Sequence, residues 1–139
     1  MVTLGCVVTG LLIGLGEAPS QDDLRAVVAA AGRSWMAHDV GALIGGGEAL
    51  YLTMPGADPS LPVARSQAVA LLRRYVAGST ERGWEVRAVR TVQPGRAYVE
   101  AVRRYVVTGT NDERRETVVL SYRETNGTWT LVELRIVRH

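Results

Sequence analysis

Apolar residues in the first half of the chain recur at the spacing of helices. Across residues 22–40 they fall three or four positions apart, with arginines and acidic residues between them, so one face of a helix can be buried. The apolar positions of that face are Leu24, Val27, Val28, Ala31 and Trp35. A second stripe with the same spacing runs from Ala68 to Tyr75 and stops at Gly78. The pattern predicts two amphipathic helices, of which the first is long.

The segment between these helices has the pattern of a turn, a short strand and a loop. Glycines at positions 41 and 45–47 interrupt the helical spacing and leave at most a short turn around residues 42–44. Residues 49–54 are rich in strand-forming side chains, and residues 55–62 hold three prolines, which cannot continue a sheet. We therefore predict one strand here, followed by a loop that enters the second helix.

Everything after Trp84 has the alternation of strands joined by hairpins. We predict strands at residues 84–92, 97–108, 114–123 and 128–138, with a turn at residues 93–96. Asn126-Gly127 is the strongest hairpin signal, because both central positions of the favoured two-residue turn need a positive φ. Helices followed by consecutive strands predict an α+β fold, a cone-shaped and strongly curved antiparallel sheet wrapped around the long N-terminal helix. Such a cone leaves a hollow between the sheet and the helix.

Composition limits the classes of function. The chain has 139 residues, 47% of them apolar, which suits one domain with one core. All 16 basic residues are arginines, the net charge is only +2, and the arginines are scattered, so we expect no binding to nucleic acid. Cys6 is the only cysteine, so an intrachain disulfide and a cysteine-based metal cluster are excluded. We expect no metal and no cofactor.

The first 20 residues form a leader ahead of the domain at residues 21–139. Their apolar run has the length of a signal peptide, with small residues at a suitable cleavage position, but no basic residue precedes it. Ser20 also suits the amino-terminal cap of the first helix, which cleavage would remove. Export to the periplasm or medium and a cytoplasmic location with a loosely packed leader both remain open. The run is too short to predict a membrane span.

Several segments together resemble a known family. These segments are Trp35-Met-Ala-His-Asp39, the strand at Tyr51, the helix at residues 68–75, Arg115-Glu-Thr-Val-Val-Leu, and Asn126-Gly127-Thr128-Trp129. Together they resemble the nuclear transport factor 2-like superfamily, within it the small bacterial polyketide-cyclase-like and ketosteroid-isomerase-like domains. The resemblance covers residues 21–139 and implies a cone with an open mouth. It does not imply one activity, because enzymes, ligand binders and association domains share this fold.

The final hairpin predicts which side chains line the cone. A two-residue turn at Asn126-Gly127 sets Leu131 opposite Tyr122, Glu133 opposite Leu120 and Arg135 opposite Val118. We assign this mixed aromatic and charged face to the concave side, and Arg103 and Tyr105 to the same side. The predicted ligand-binding residues are Trp35, Tyr51, Leu71, Tyr75, Arg103, Tyr105, Tyr122, Trp129 and Arg135. An outer face on which Glu133 and Arg135 are solvated remains an equal alternative.

Few titratable residues are candidates for catalysis. His38 lies on the apolar side of the first helix beside Asp39, and a histidine there is more often structural than catalytic. The candidate catalytic residues are His38, Asp39 and Glu133, with Asp39 or Glu133 as the base. An epoxide-opening hydrolase would need two carboxylates bridged by an arginine, and the spacing along the sequence does not show that arrangement.

Three functions are consistent with the sequence. The first is a domain that binds a small apolar or amphipathic molecule without chemistry. The second is an isomerase, cyclase or dehydratase that removes a proton beside a carbonyl, as in relatives. The third is a homodimeric association module that uses the outer face of the sheet. The resemblance and the alternating strands make a homodimer the expected assembly.

Overall fold

The computed structural model describes residues 21–57 and 62–139, and the side chains from residue 23 onwards in the first of these ranges. The predicted leader and the cap at Ser20 lie outside the described residues. Within the described ranges, no helix is both long and apolar enough to cross a membrane.

Within the described ranges, three helices and five strands follow one another. They are α1 (Gln21–Met36), α2 (Val40–Ile44), β1 (Tyr51–Thr53), α3 (Arg65–Val76), β2 (Ser79–Gln93), β3 (Arg96–Val107), β4 (Glu113–Thr125) and β5 (Thr128–Arg138). The strands form one sheet in the order β1-β5-β4-β3-β2. This confirms the α+β cone. The sheet is mixed rather than wholly antiparallel, because β1 pairs in parallel with β5.

The first helix is shorter than the sequence predicts, because it ends in a Schellman motif. His38 takes the left-handed position with φ of 55°, its N–H bonds to Trp35 O, and the Asp39 N–H bonds to Ser34 O. Glycine usually occupies that position, so the periodicity alone did not predict the break. Asp39 then caps α2, since its Oδ1 accepts a hydrogen bond from the Ala42 N–H at 3.2 Å.

Strand β2 begins five residues before the predicted position. Its first residues are polar, and the sequence pattern assigns them to no element, yet Ser79 pairs with Val107 and Thr80 with Val106. An irregularity between Glu81 and Gly83 follows. Because β3 supplies a partner for these backbone groups, a polar sequence is held in the sheet despite its low strand propensity.

Aliphatic side chains pack the central part of the space where a hollow is predicted. The contact between α1 and β2 is close, because a Cβ atom at Gly32 would lie 2.9 Å from the ring of Trp84. Trp84 in turn stacks on Trp35, with ring centroids 5.3 Å apart. The inner core residues include Leu24, Val28, Leu72, Val99, Val118, Leu120 and Leu134. The middle of the concave face is therefore filled by core side chains.

The predicted register of the last hairpin is correct only near the turn. Asn126 and Gly127 both have positive φ, and Leu131 pairs with Tyr122 as predicted. The next pair is Ser121 with Glu133, so β5 contains one extra residue at this point. Such a bulge reverses the faces of all residues beyond it.

The bulge corrects the predicted position of two candidate residues. Leu134 and Ile136 point into the core and are 0% and 2% exposed, whereas Glu133 and Arg135 lie on the outer face. Burying two aliphatic side chains rather than a carboxylate and a guanidinium gives the lower free energy, which explains why the bulged register is adopted.

Candidate functional site

Arg103 lies at the centre of a group of buried charges at one end of the concave face. Its Nε is 3.5 Å from Oε1 of Glu116, and its Nη2 is 3.6 Å from Oε2 of Glu81. The side chains of Arg103, Glu116 and Glu81 are 1%, 0% and 2% exposed. We call these three residues the ion cluster. They form the arrangement of two carboxylates bridged by an arginine that spacing along the sequence did not show.

Three neighbouring strands bring the ion cluster together. Arg103 on β3 pairs directly with Glu116 on β4, so their side chains leave the same face of the sheet. Glu81 on β2 pairs with Tyr105, two residues along β3 from Arg103, and again points to that face. The cluster therefore follows from the β2-β3-β4 register.

Glu81 is held on all sides by the end of α1 and the start of β2. The Trp35 indole N–H donates to Glu81 Oε1 at 2.9 Å, and Nε2 of His38 lies 2.9 Å from Oε2. The Ser79 hydroxyl also lies 3.3 Å from Oε2. Both carboxylate oxygens of Glu81 thus have partners. The left-handed backbone at His38 directs the imidazole towards this carboxylate.

The carboxylate of Glu116 has fewer hydrogen bonds than that of Glu81. The Tyr75 hydroxyl donates to Glu116 Oε2 at 2.5 Å, and Nε of Arg138 lies 3.5 Å from the same oxygen. Within the described residues, Glu116 Oε1 and the Nε and Nη1 atoms of Arg103 are buried without a hydrogen-bond partner. Arg103 Nε and Glu116 Oε1 therefore face each other at 3.5 Å as an ion pair without a hydrogen bond, and Arg103 Nη1 lies beside them without an acceptor among the described residues.

Aromatic rings surround the buried guanidinium. The Cζ atom of Arg103 is 3.8 Å from the ring centroid of Tyr105, 5.3 Å from that of Trp35 and 6.0 Å from that of Tyr75. Burial raises the pKa of Tyr105, and the nearby charge of Glu116 acts in the same direction. These rings offer flat apolar surfaces next to the charges, which suits a ligand with one polar and one apolar part.

The titration of Tyr75 gives a testable pH dependence. Burial and the hydrogen bond to Glu116 raise the pKa of Tyr75 from 10.0 to about 12. A group whose pKa is higher in the folded state contributes stability below its unfolded pKa and loses it as the pH rises through its folded pKa. We expect wild-type protein to lose more free energy of unfolding than Tyr75→Phe between pH 10 and about 12. Urea unfolding at several pH values across that range measures the difference. An equal change in the free energy of unfolding of both proteins would contradict the prediction.

A surface groove adjoins the ion cluster. It has a volume of about 460 Å³ and is lined by Tyr105, Glu113, Arg114, Arg115, Arg138 and His139. Tyr105 covers Arg103, and Arg138 contacts Glu116, so these two side chains separate the groove from the cluster. Arg138 is 61% exposed, so it can move without crossing the core. We call this feature the arginine groove.

Five of the predicted site residues meet at the ion cluster, and three others lie on the opposite face of the sheet. The five are Trp35, His38, Tyr75, Arg103 and Tyr105. Tyr51 is 50% exposed and pairs with Glu133, while Thr53 pairs with Arg135, so both charged candidates lie beside β1 on the outer face. Glu133 therefore cannot act as a base at the cluster. The homodimer expected to use this face stays a prediction.

The remaining candidates have other positions. Tyr122 and Trp129 line a separate groove of about 310 Å³ between the helices and the β4-β5 hairpin. Leu71 is half-buried and packs against the core from α3. The Asp39 carboxylate caps α2 by accepting a hydrogen bond from the Ala42 N–H.

Sequence reasoning missed Glu81, Glu116 and Arg138. Glu116 could have been found, because it lies two residues before Val118 and shares the face assigned to Val118 and Tyr122. Glu81 lies in a segment to which the sequence pattern assigns no element. Arg138 returns to the inner face only because of the bulge in β5, since it pairs with Glu116. In the described part of the chain, no three His, Cys, Asp or Glu side chains are grouped to hold a metal ion.

Solved structures share this fold at low sequence identity. A ketosteroid isomerase-like protein from Erwinia carotovora atroseptica superposes with a TM-score of 0.70 and 14% identity, over 84% of this chain and 94% of that one. A protein of this fold class of unknown function from Pseudomonas putida gives 0.64 and 11%, over 84% of each chain. A putative calcium/calmodulin-dependent protein kinase type II association domain from Thiobacillus denitrificans gives 0.65 and 13%, over 88% and 97%.

Comparisons of sequence alone add no closer relative, because no family model and no curated protein matches the chain. At identities this low, the superpositions establish the fold and leave the activity open. The order of helices and strands, the curved sheet and the three superpositions agree. The chain therefore has the nuclear transport factor 2-like fold.

Proposed function

We propose that this domain binds a small amphipathic organic molecule at the end of the cone where the ion cluster meets the arginine groove. The polar part of the molecule lies against Arg103 and Glu116, and its apolar part lies against the surrounding aromatic rings. The ligand enters through the groove when Tyr105 and Arg138 move aside. This position replaces the predicted central hollow, which aliphatic side chains fill.

The observation that carries this proposal is the incomplete hydrogen bonding of a buried charged group. Leaving a buried donor or acceptor without a partner costs about 1–3 kcal/mol for a neutral group and more for a charged one. Among the described residues, Arg103 Nη1 has no hydrogen-bond acceptor, and Arg103 Nε and Glu116 Oε1 form an ion pair at 3.5 Å without a hydrogen bond. A ligand hydroxyl both accepts and donates, and could therefore satisfy both sides at once.

Binding is tested with neutral amphiphiles such as hexanol, hexanamide and cyclohexanone. Trp35 touches the ion cluster, so its fluorescence should report occupancy. A ligand at 100 times its Kd should raise the free energy of unfolding by about 2.7 kcal/mol. Glu116→Gln keeps the shape of the side chain but removes the charge, and should weaken binding roughly ten-fold.

Glu85→Gln is the matched control, because Glu85 lies on β2 with a side chain that is 68% exposed and paired only with Arg87. It should leave binding unchanged. Absence of binding across the whole panel, or equal loss in both variants, would contradict the proposed site.

A second candidate function is acid–base chemistry at the same place. The favouring observation is that Arg103 bridges two carboxylates of which only one has both oxygens occupied. Glu116 Oε1 could take a proton from the carbon beside a ligand carbonyl. The Arg103 Nη1 group could then donate a hydrogen bond to the oxyanion that develops on the carbonyl oxygen. Glu81, held by Trp35 and His38, keeps the guanidinium oriented.

Deuterium exchange separates chemistry from binding. If cyclohexanone binds, the catalytic candidate predicts that deuterium replaces its α-protons faster in D₂O buffer with the protein than in the same buffer without it. Proton NMR measures the two rates. Glu116→Gln should remove this acceleration at ligand concentrations that still saturate the site, and Glu85→Gln should retain it. Binding without accelerated exchange would favour the domain that only binds.

A further inference from the structure

We infer that the ligand of the proposed binding site also carries an anionic group, a carboxylate or phosphate, which is held in the arginine groove while the apolar part lies along Tyr105 and the neutral polar part lies against Arg103 and Glu116. This inference rests on the proposed function and names the class of molecule that the site takes. Arg114 and Arg138 share the face of Tyr105 and supply the groove's cationic side chains, whereas Arg115 pairs with Arg104 on the opposite face of the sheet.

The charges around the groove leave a cationic excess. Glu113 is the one carboxylate side chain in the lining, and it pairs with Arg104 at 3.4 Å. Arg114 pairs with Asp112 at 2.7 Å, outside the lining. The side chains of Arg114 and Arg138 are 52% and 61% exposed, so an anion can reach both guanidinium groups. A guanidinium fork of this kind matches the geometry of carboxylate and phosphate oxygens.

Arg138 connects the groove to the buried charges. Its Nε is 3.5 Å from Glu116 Oε2, and its side chain is also accessible from the groove. An anion in the groove would compete with Glu116 for this guanidinium. Drawing Arg138 outwards would open the covering layer over Glu116, so anion binding and access to the ion cluster would occur together.

Calorimetric titration with three probes that share a hexyl-length tail tests the inference. Hexanoate carries a carboxylate, hexyl phosphate carries a phosphate, and hexanamide is the neutral counterpart of hexanoate. We expect at least one anion to bind roughly ten-fold more tightly than hexanamide, with an advantage that shrinks as salt is added. The stronger of the two anions identifies which headgroup the groove fits.

Two variants locate the effect. Arg138→Gln and Arg114→Gln should each reduce the anion advantage, and Arg114 is exposed, so its variant keeps the test valid if Arg138→Gln fails to fold. Arg87→Gln on β2 removes the same charge from an exposed pair with Glu85 and should change nothing.

The outcomes separate the two proposals. Equal affinity for hexanoate, hexyl phosphate and hexanamide would overturn the anion inference and leave the binding function standing. Equal losses in Arg87→Gln and Arg114→Gln would also overturn it, because only the net charge would then matter. Binding of none of the three probes would overturn both.

Discussion

Replacing Arg103 by methionine should lower the free energy of unfolding by about 3–5 kcal/mol, the usual cost of removing one partner from a buried ion pair. The guanidinium is 1% exposed and lies within 3.6 Å of both Glu81 and Glu116, whose side chains are 2% and 0% exposed. Methionine fills a similar space but leaves two buried carboxylates without the cation between them. Urea denaturation at neutral pH measures the loss.

The sign of the stability change caused by a second substitution tests whether uncompensated buried charge explains this loss. In the Arg103→Met background, adding Glu116→Gln should recover part of the stability, because it removes one of the uncompensated charges. In the wild-type background the same substitution should destabilise the protein, because it weakens the contact with Arg103. A Glu116→Gln effect of the same sign and size in both backgrounds would show that the charges do not interact.

Replacing Arg65 by methionine should cost a comparable amount, about 3–5 kcal/mol, because the Arg65 guanidinium donates to three backbone carbonyl groups. Its Nε bonds to Glu48 O at 2.5 Å, Nη1 to Ile44 O at 2.7 Å and Nη2 to Leu131 O at 2.7 Å. These bonds join α3, the end of α2 and β5. Burial lowers the pKa of Arg65, yet the guanidinium remains charged at neutral pH.

A graded series on α3 checks this role. Arg65→Lys keeps the charge but cannot reach three carbonyls with one ammonium group, so it should lie between wild type and Arg65→Met in thermal or urea unfolding. Arg74→Met is the matched control, because Arg74 is exposed in the last turn of the same helix and its removal should cost less than about 0.5 kcal/mol. Similar losses for Arg65→Met and Arg74→Met would contradict the role of Arg65 as a clamp.

The sequence alone was sufficient for the elements that depend on local periodicity and turn chemistry. The apolar stripe from Leu24 to Trp35 forms α1, and the Asn126-Gly127 turn joins β4 and β5 with positive φ at both residues. Arg103 and Tyr105 were also predicted on the buried face, because apolar neighbours of the same parity marked it. These features are determined within one helix or one pair of strands.

Only the tertiary structure decided which charged residues meet. One extra residue in β5 sends Glu133 and Arg135 outwards and returns Arg138 to the inner face, and no local rule requires a bulge there. The polar start of β2 becomes a strand, and delivers Glu81, because β3 lies beside it. Local preferences in these segments are weak, so the burial of Leu134 and Ile136 and the pairing between strands determine the site.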